Sequence, residues 1–371
     1  MDIPYLLTPG PLTTSATVKA AMLRDWGSRD EEFIKMNDDV RVRLTALVGG
    51  EGTHVCVPLQ GSGTFVVEAT LATLVPREGK LLVLVNGAYG RRMVDMCHVM
   101  GRVVESIEWP EDEQVDPRVL DERLERDPRI SHVALVHCET TSGILNPLDD
   151  VAEVTARHHR RLIVDAMSTF GAMDVDTRRL TVAAIAASSN KCLQGVPGVG
   201  FALIERETLE SCRGNAHSLS LDLYAQWKGF EQNHQWRFTP PTHVIAALSR
   251  ALDEHTGEGG VEGRGQRYAH NHRILVEGME DLGFRCLLDQ SVQAPIIVTF
   301  LMPADPNFRF DRFYRLLADA GFLIYPGKLT VADSFRIGCI GDLGEHEMRA
   351  ALIAVESALT TMNVTSGLPA R

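Results

Sequence analysis

No stretch of this 371-residue chain stays apolar long enough to cross a bilayer, and no signal-peptide pattern opens it at Met1-Asp2-Ile3-Pro4. The sequence therefore predicts neither a membrane span nor a secretory leader. Cysteine is sparse and unorganised: Cys56, Cys97, Cys138, Cys192, Cys212, Cys286 and Cys339 are odd in number and include no Cys-x-x-Cys pair. That pattern argues against a disulfide framework and fits reduced thiols in a cytoplasmic protein. A basic excess is missing as well, since 37 Lys and Arg stand against 49 Asp and Glu for a net charge of −12. Nucleic acid and anionic membranes are thereby disfavoured as partners, and an anionic ligand must be met by a few local groups. A Gly-x-Ser-x-Gly nucleophile elbow is absent. His158 and His159 are adjacent and cannot share a helix face, and His137-Cys138-Glu139 alternates in direction, so no metal-ligand set is expected. Internal repeats and low-complexity segments are also lacking, and the sequon Asn363-Val364-Thr365 carries no weight in a cytoplasmic chain. What is plentiful is apolar residues, 44% of the chain, enough to bury a large core.

Two charged residues stand out against that background. Lys191 follows the small apolar run Val182–Ala187 within Ser188-Ser189-Asn190-Lys191-Cys192-Leu193-Gln194-Gly195, beside the turn Gly195-Val196-Pro197-Gly198-Val199-Gly200. The run reads as a buried strand, so the lysine emerges at its end, where partial desolvation lowers an amine's pKa and makes it a Schiff-base nucleophile. Asp165 closes the apolar run Leu162-Ile163-Val164 in the same way, 26 residues earlier, which is room for one crossover and the next strand. A carboxylate at a strand's end beside such a lysine suits pyridoxal phosphate, whose ring nitrogen it would keep protonated. Read singly, a lysine reaching solvent and a carboxylate capping a helix explain the two residues equally well.

The rest of that cofactor's needs can be sought at other strand ends. Ser62, Gly63 and Thr64, after His54–Leu59 and before a helical pattern, offer backbone N–H groups for a phosphate. Read alone they form an ordinary tight turn, neither a Walker loop nor a dinucleotide fingerprint. A nicotinamide dehydrogenase would need an acidic ribose ligand about twenty residues further on, and would leave Lys191 without a role. Tyr89, in Asn86-Gly87-Ala88-Tyr89-Gly90-Arg91, is a stacking candidate or a core tyrosine, and Thr140, in His137-Cys138-Glu139-Thr140-Thr141, is a donor for the ring hydroxyl. All five positions fall at one expected sheet edge.

Together with Leu6-Leu7-Thr8-Pro9-Gly10-Pro11, Asn190-Lys191-Cys192-Leu193-Gln194-Gly195-Val196-Pro197-Gly198, Leu223-Tyr224-Ala225-Gln226-Trp227 and Phe335-Arg336-Ile337-Gly338, these segments carry a resemblance. From Met1 to roughly Met362 the chain resembles the fold-type I pyridoxal phosphate enzymes of the class V aminotransferase group. Within the group it is more similar to the branch acting on 2-aminoethylphosphonate and pyruvate than to the alanine:glyoxylate branch. The resemblance implies that Lys191 carries the cofactor, Asp165 partners the pyridine nitrogen, and Ser62, Gly63 and Thr64 hold the phosphate. It also implies Tyr89 at the ring-stacking position, where several relatives have tryptophan, and Thr140 at the ring hydroxyl. A homodimer with shared active sites is implied too, Thr239 and Thr242 completing the partner's phosphate site, with Arg336 binding the substrate anion. The implied reaction moves the amino group of 2-aminoethylphosphonate to pyruvate, giving phosphonoacetaldehyde and L-alanine. The alternatives within the fold are an alanine or serine:glyoxylate or serine:pyruvate aminotransferase. A cysteine desulfurase would need a reactive cysteine on a mobile loop, whereas Cys339 reads as a strand-end residue, and a non-catalytic scaffold would not need Lys191 and Asp165.

Strands expected near 54–59, 81–85, 132–136, 162–165, 183–188 and 200–204 alternate with helical patterns at 64–74, 90–100 and 148–159. That alternation predicts an α/β large domain with a mostly parallel sheet and its ligands at the C-terminal edge. A break near Gly257-Glu258-Gly259-Gly260 leads to a helix around Arg264–Leu282, strands near Ala294–Phe300 and Ser334–Ile337, and a helix near Phe310–Ala320, an α+β small domain. The expected division is residues 17–260 against 1–16 plus 261–371. The run Glu108-Trp109-Pro110-Glu111-Asp112-Glu113 reads as a solvated loop.

Overall fold

The computed structural model describes residues 4–329 and 332–369. The opening Met1-Asp2-Ile3 of the leader reading lies outside them. Among the described residues, seven strands form the main sheet: β1 (His54–Gly61), β2 (Lys80–Val85), β3 (Val103–Glu108), β4 (Ile130–Val136), β5 (Arg161–Asp165), β6 (Ala184–Ser188) and β7 (Gly198–Glu205), in the order β1-β7-β6-β5-β4-β2-β3. Helices cover both faces, so the central strands are apolar through their middles and carry polar residues mainly toward their ends, and every residue of β2 is buried. At about 1.5–3 kcal/mol for each buried Val or Leu side chain, this centre is rigid enough to hold irregular loops at its edge.

The sheet is α/β and mostly parallel, as expected, with one exception. β7 runs antiparallel to both β1 and β6. The nine-residue connection 189–197, which carries Lys191, is too short for the crossover a parallel neighbour requires. β3 was not expected at all: it is an edge strand paired only with β2, its residues are half-buried or exposed, and its last residue is Glu108. The charged run therefore begins as strand, and Trp109, which donates its N–H to Val85 O, packs against the core.

Two helices position the site. α1 (Gly63–Leu74) follows β1, and α2 (Ala88–Val99) follows β2. Beyond Gly257, where one helix (Thr242–Gly257) ends and the next (Gly260–Asp281) begins, a second sheet forms. It comprises β8 (Ile297–Leu301), β9 (Tyr325–Pro326) and β10 (Ser334–Gly338), with β10 in the middle. Phe284, Phe300, Phe308, Phe313 and Phe335 build a core there, separate from the two that sandwich the main sheet. Tyr5–Leu6 pairs in parallel with Phe322–Leu323, which draws the start of the chain onto this second sheet's neighbourhood.

Candidate active site

Strands β1, β2, β4, β5 and β6 all point the same way, so the segments that follow them meet at one sheet edge. There a cavity of about 470 Å³ is lined by Ser62, Gly63, Thr64, Tyr89, Asp165 and Lys191, six of the ten positions singled out in the sequence.

Asp165, the last residue of β5, is 7% exposed. One carboxylate oxygen accepts the Met167 N–H at 2.9 Å, and the other has no hydrogen-bond partner among the described residues. Burial raises its pKa to about 6, against the Met167 N–H and the charges of Lys191 and Arg92, which act to lower it. A carboxylate in this position is stabilised by a cation placed against its free oxygen. Lys191 follows β6, and burial lowers its pKa to about 8, the Arg336 charge acting in the same direction. Its Nζ donates to Pro9 O at 2.7 Å and Gly10 O at 3.2 Å. Gly10 lies at φ +111°, and a Cβ there would sit 2.5 Å from the lysine's Cδ, so only glycine lets this loop close over the amine.

The first turn of α1 supplies the polar end. Ser62 is its N-cap residue, yet its hydroxyl makes no capping bond, and the Gly63 and Thr64 N–H groups are among the donors a helix leaves unpaired. Gly63 has a second reason to lack a side chain: a Cβ would lie 2.5 Å from Met167 Sδ, so the methionine fills that space.

Tyr89 sits in the first turn of α2, whose N-cap Gly87 offers no side chain. The cap comes from elsewhere. Glu139 Oε1 accepts the Tyr89 N–H at 3.1 Å and the Gly90 N–H at 2.8 Å, and Gly87 is needed because a Cβ there would lie 2.5 Å from the Glu139 carboxyl carbon. Glu139 is fully buried, and burial raises its pKa to about 7.

The other four positions do not line the cavity. Thr140 is buried next to this cap, but what it offers is its backbone: its carbonyl accepts from Arg336 Nη1 at 2.6 Å. Arg336, on β10, is 1% exposed, also donates through Nε to Pro326 O at 3.1 Å, and has no carboxylate partner among the described residues. Burial lowers its pKa below the usual guanidinium value, with Tyr89 and Tyr325 acting to raise it. Thr239 is exposed and Thr242 half-buried at the start of the Thr242–Gly257 helix, outside the cavity of their own chain.

Sequence reasoning missed Arg92 and Ser188, both of which line the cavity. Arg92 lies one helical turn after Tyr89 on the same face, but an arginine in a helix carries no signal of its own until the fold brings Thr64 beside it. The Ser188 hydroxyl, closing β6, is buried without a hydrogen-bond partner among the described residues. Cys339 is fully buried directly after β10, with burial raising its pKa well above the usual thiol range. Among the described residues no three His, Cys, Asp or Glu side chains are grouped so as to hold a metal ion, and no helix is long and apolar enough to cross a membrane.

A buried amine, a buried carboxylate with a free oxygen and an uncapped helix start around one cavity fit pyridoxal phosphate. The chain belongs to the class-V aminotransferases, whose family model matches residues 13–331. Among its relatives, 2-aminoethylphosphonate–pyruvate transaminase 2 of Burkholderia lata is 55% identical, covering 97% of this chain and 96% of that one. The 2-aminoethylphosphonate–pyruvate transaminase of Pseudomonas putida is 51% identical, covering 98% and 99%. A solved alanine–glyoxylate aminotransferase from Nostoc sp. superposes with a TM-score of 0.90 at 26% identity, covering 97% of this chain and 96% of that one.

Proposed function

We propose that this chain moves the amino group of 2-aminoethylphosphonate to pyruvate, giving phosphonoacetaldehyde and L-alanine. The observation that carries the reading is Arg336, a fully buried guanidinium with no carboxylate partner among the described residues, whose charge is felt by Lys191 from outside the cavity wall. A buried cation is costly until an anion joins it. A guanidinium forks onto either a phosphonate or a carboxylate, so one residue can take the two substrates in turn.

Bound pyridoxal phosphate supplies an electron sink, which makes a proton on the substrate's amine-bearing carbon removable. Lys191 would hold the cofactor and, once released by the incoming amine, its Nζ would take that proton, a task suited to an amine whose pKa lies near 8. Asp165 would hold the ring nitrogen, while Ser62, Gly63 and Thr64 would hold the phosphate and Tyr89 would stack on the ring; Thr140, which does not line the cavity, stays the candidate for the ring hydroxyl. The Pro9 and Gly10 carbonyls orient the amine and cover it from water. The two-unit division at residues 17–260 against 1–16 and 261–371 belongs to the same reading. It is supported by the separate phenylalanine core and by the pairing of Tyr5–Leu6 with Phe322–Leu323.

The test is an amino-donor panel with pyruvate. 2-Aminoethylphosphonate should exceed alanine, serine and phosphoserine by orders of magnitude in kcat/KM. Arg336→Lys keeps the charge but loses the fork, so both half-reactions should slow together, by roughly 10–100-fold each. Alanine or serine with glyoxylate proving the faster pair would place the chain in the other branch, and a defect confined to pyruvate would give the phosphonate to another group.

A cytoplasmic homodimer with shared sites completes the proposal. Thr239 and Thr242 lie outside their own cavity, and Phe65, Leu219 and Phe238 are exposed apolar side chains near the cradle or near these threonines. Arg237 ties the last two together through Leu219 O and the Phe238 ring. Mixing a Lys191→Ala chain with a Thr239→Ala, Thr242→Ala chain should restore one tight cofactor site per heterodimer, counted by absorbance. Two weak sites in the mixture would refute sharing.

A further inference from the structure

A dianionic phosphate at the start of α1 would meet only neutral donors: the Gly63 and Thr64 amides and the Ser62 and Thr64 hydroxyls. A helix N-terminus contributes about half a positive charge, so such a cradle leaves most of a dianion uncompensated. Apart from Lys191, the only cationic side chain on the cavity wall among the described residues is Arg92. Three observations place it at the phosphate end. Its Nη1 donates to Thr64 Oγ1 at 3.3 Å, within the cradle's first turn. Its guanidinium carbon lies 5.0 Å from the centre of the Tyr89 ring, so it spans from the cradle to the aromatic wall. It also forms no ion pair with a carboxylate among the described residues, although its charge is felt by Asp165, in contrast to its neighbour Arg91, which pairs with both oxygens of Glu108.

We infer that Arg92 is the charge partner of the cofactor's phosphate, joining the phosphate cradle to the ring-contact wall. The inference rests on the cofactor reading proposed above. Arg92 is half-buried, which leaves it partly desolvated yet free to turn its remaining N–H groups toward a tetrahedral oxyanion. Its ring contact with Tyr89 limits where it can point, and that preorganisation strengthens the interaction.

The experiment compares pyridoxal phosphate with pyridoxal, which carries the same aldehyde and ring but no phosphate, by equilibrium titration of the apoprotein followed by absorbance. Arg92→Gln should weaken pyridoxal phosphate binding about 10–100-fold, the usual size for a lost charge-assisted contact, and leave pyridoxal binding unchanged. Arg92→Lys should recover part of the loss, and far-UV circular dichroism of both variants should match wild type because the residue is not a core side chain. An equal loss for both ligands would make Arg92 a prop for Tyr89 and overturn the inference, as would no loss for either. A raised KM for 2-aminoethylphosphonate with cofactor affinity intact would also overturn it by assigning the guanidinium to substrate. Failure of the underlying reading looks different: wild-type protein would then not prefer pyridoxal phosphate over pyridoxal at all.

Discussion

Lys191→Ala should abolish transamination, lowering kcat by on the order of 10⁴-fold or more, because one side chain is asked both to hold the cofactor and to carry the proton. Borohydride should fix cofactor to Lys191 in the wild-type protein, and peptide mapping should find no adduct in the variant. A reduced adduct on a different lysine would sink the assignment. The pH dependence adds a sharper check. The neutral amine is the attacking form, and burial lowers the Lys191 pKa from an ordinary 10.5 to about 8. Covalent uptake of cofactor by apoprotein should therefore quicken as pH rises toward 8 and level off above it. A rate still climbing at pH 10 would belong to an ordinary exposed lysine.

Asp165→Asn is expected to cost roughly 10²-fold or more in kcat with a much smaller loss of cofactor affinity. The amide fills the same space and can keep the Met167 contact, but it brings no negative charge to the free side of the group. Stopped-flow measurement of the first half-reaction would isolate the effect. Turnover within a few-fold of wild type would reduce Asp165 to a structural residue that shapes the Asp165–Met167 turn.

The main-sheet strands were legible because a sheet buried on both faces writes itself largely as apolar runs, and the two candidate charges were legible as interruptions at the ends of such runs. Asp165 after Leu162-Ile163-Val164 and Lys191 after Val182–Ala187 are the clearest cases. β3 was hidden for the opposite reason, since an edge strand keeps its charges in water and alternates too weakly to register. The reversed direction of β7 depends on the length of the turn before it and leaves no mark within the strand. Arg92 was overlooked because a surface-like arginine in a helix has no local signature. Its position becomes informative only when Thr64, a residue of another helix, arrives beside it. Thr140 was located by its hydroxyl, whereas the contact the fold gives it with Arg336 uses the carbonyl, a group every residue carries. For the site, strand-end chemistry could be read in one dimension, and contacts between elements could not.

The hydrogen bond from Lys191 to Pro9 joins residues 182 positions apart, and Tyr5 pairs with Phe322. During synthesis, the loop that covers the amine emerges early and must wait for most of the chain before its strand partner exists. Lys191 should thus stay uncovered on a ribosome-bound chain, and the cavity it lines should be among the last features to close.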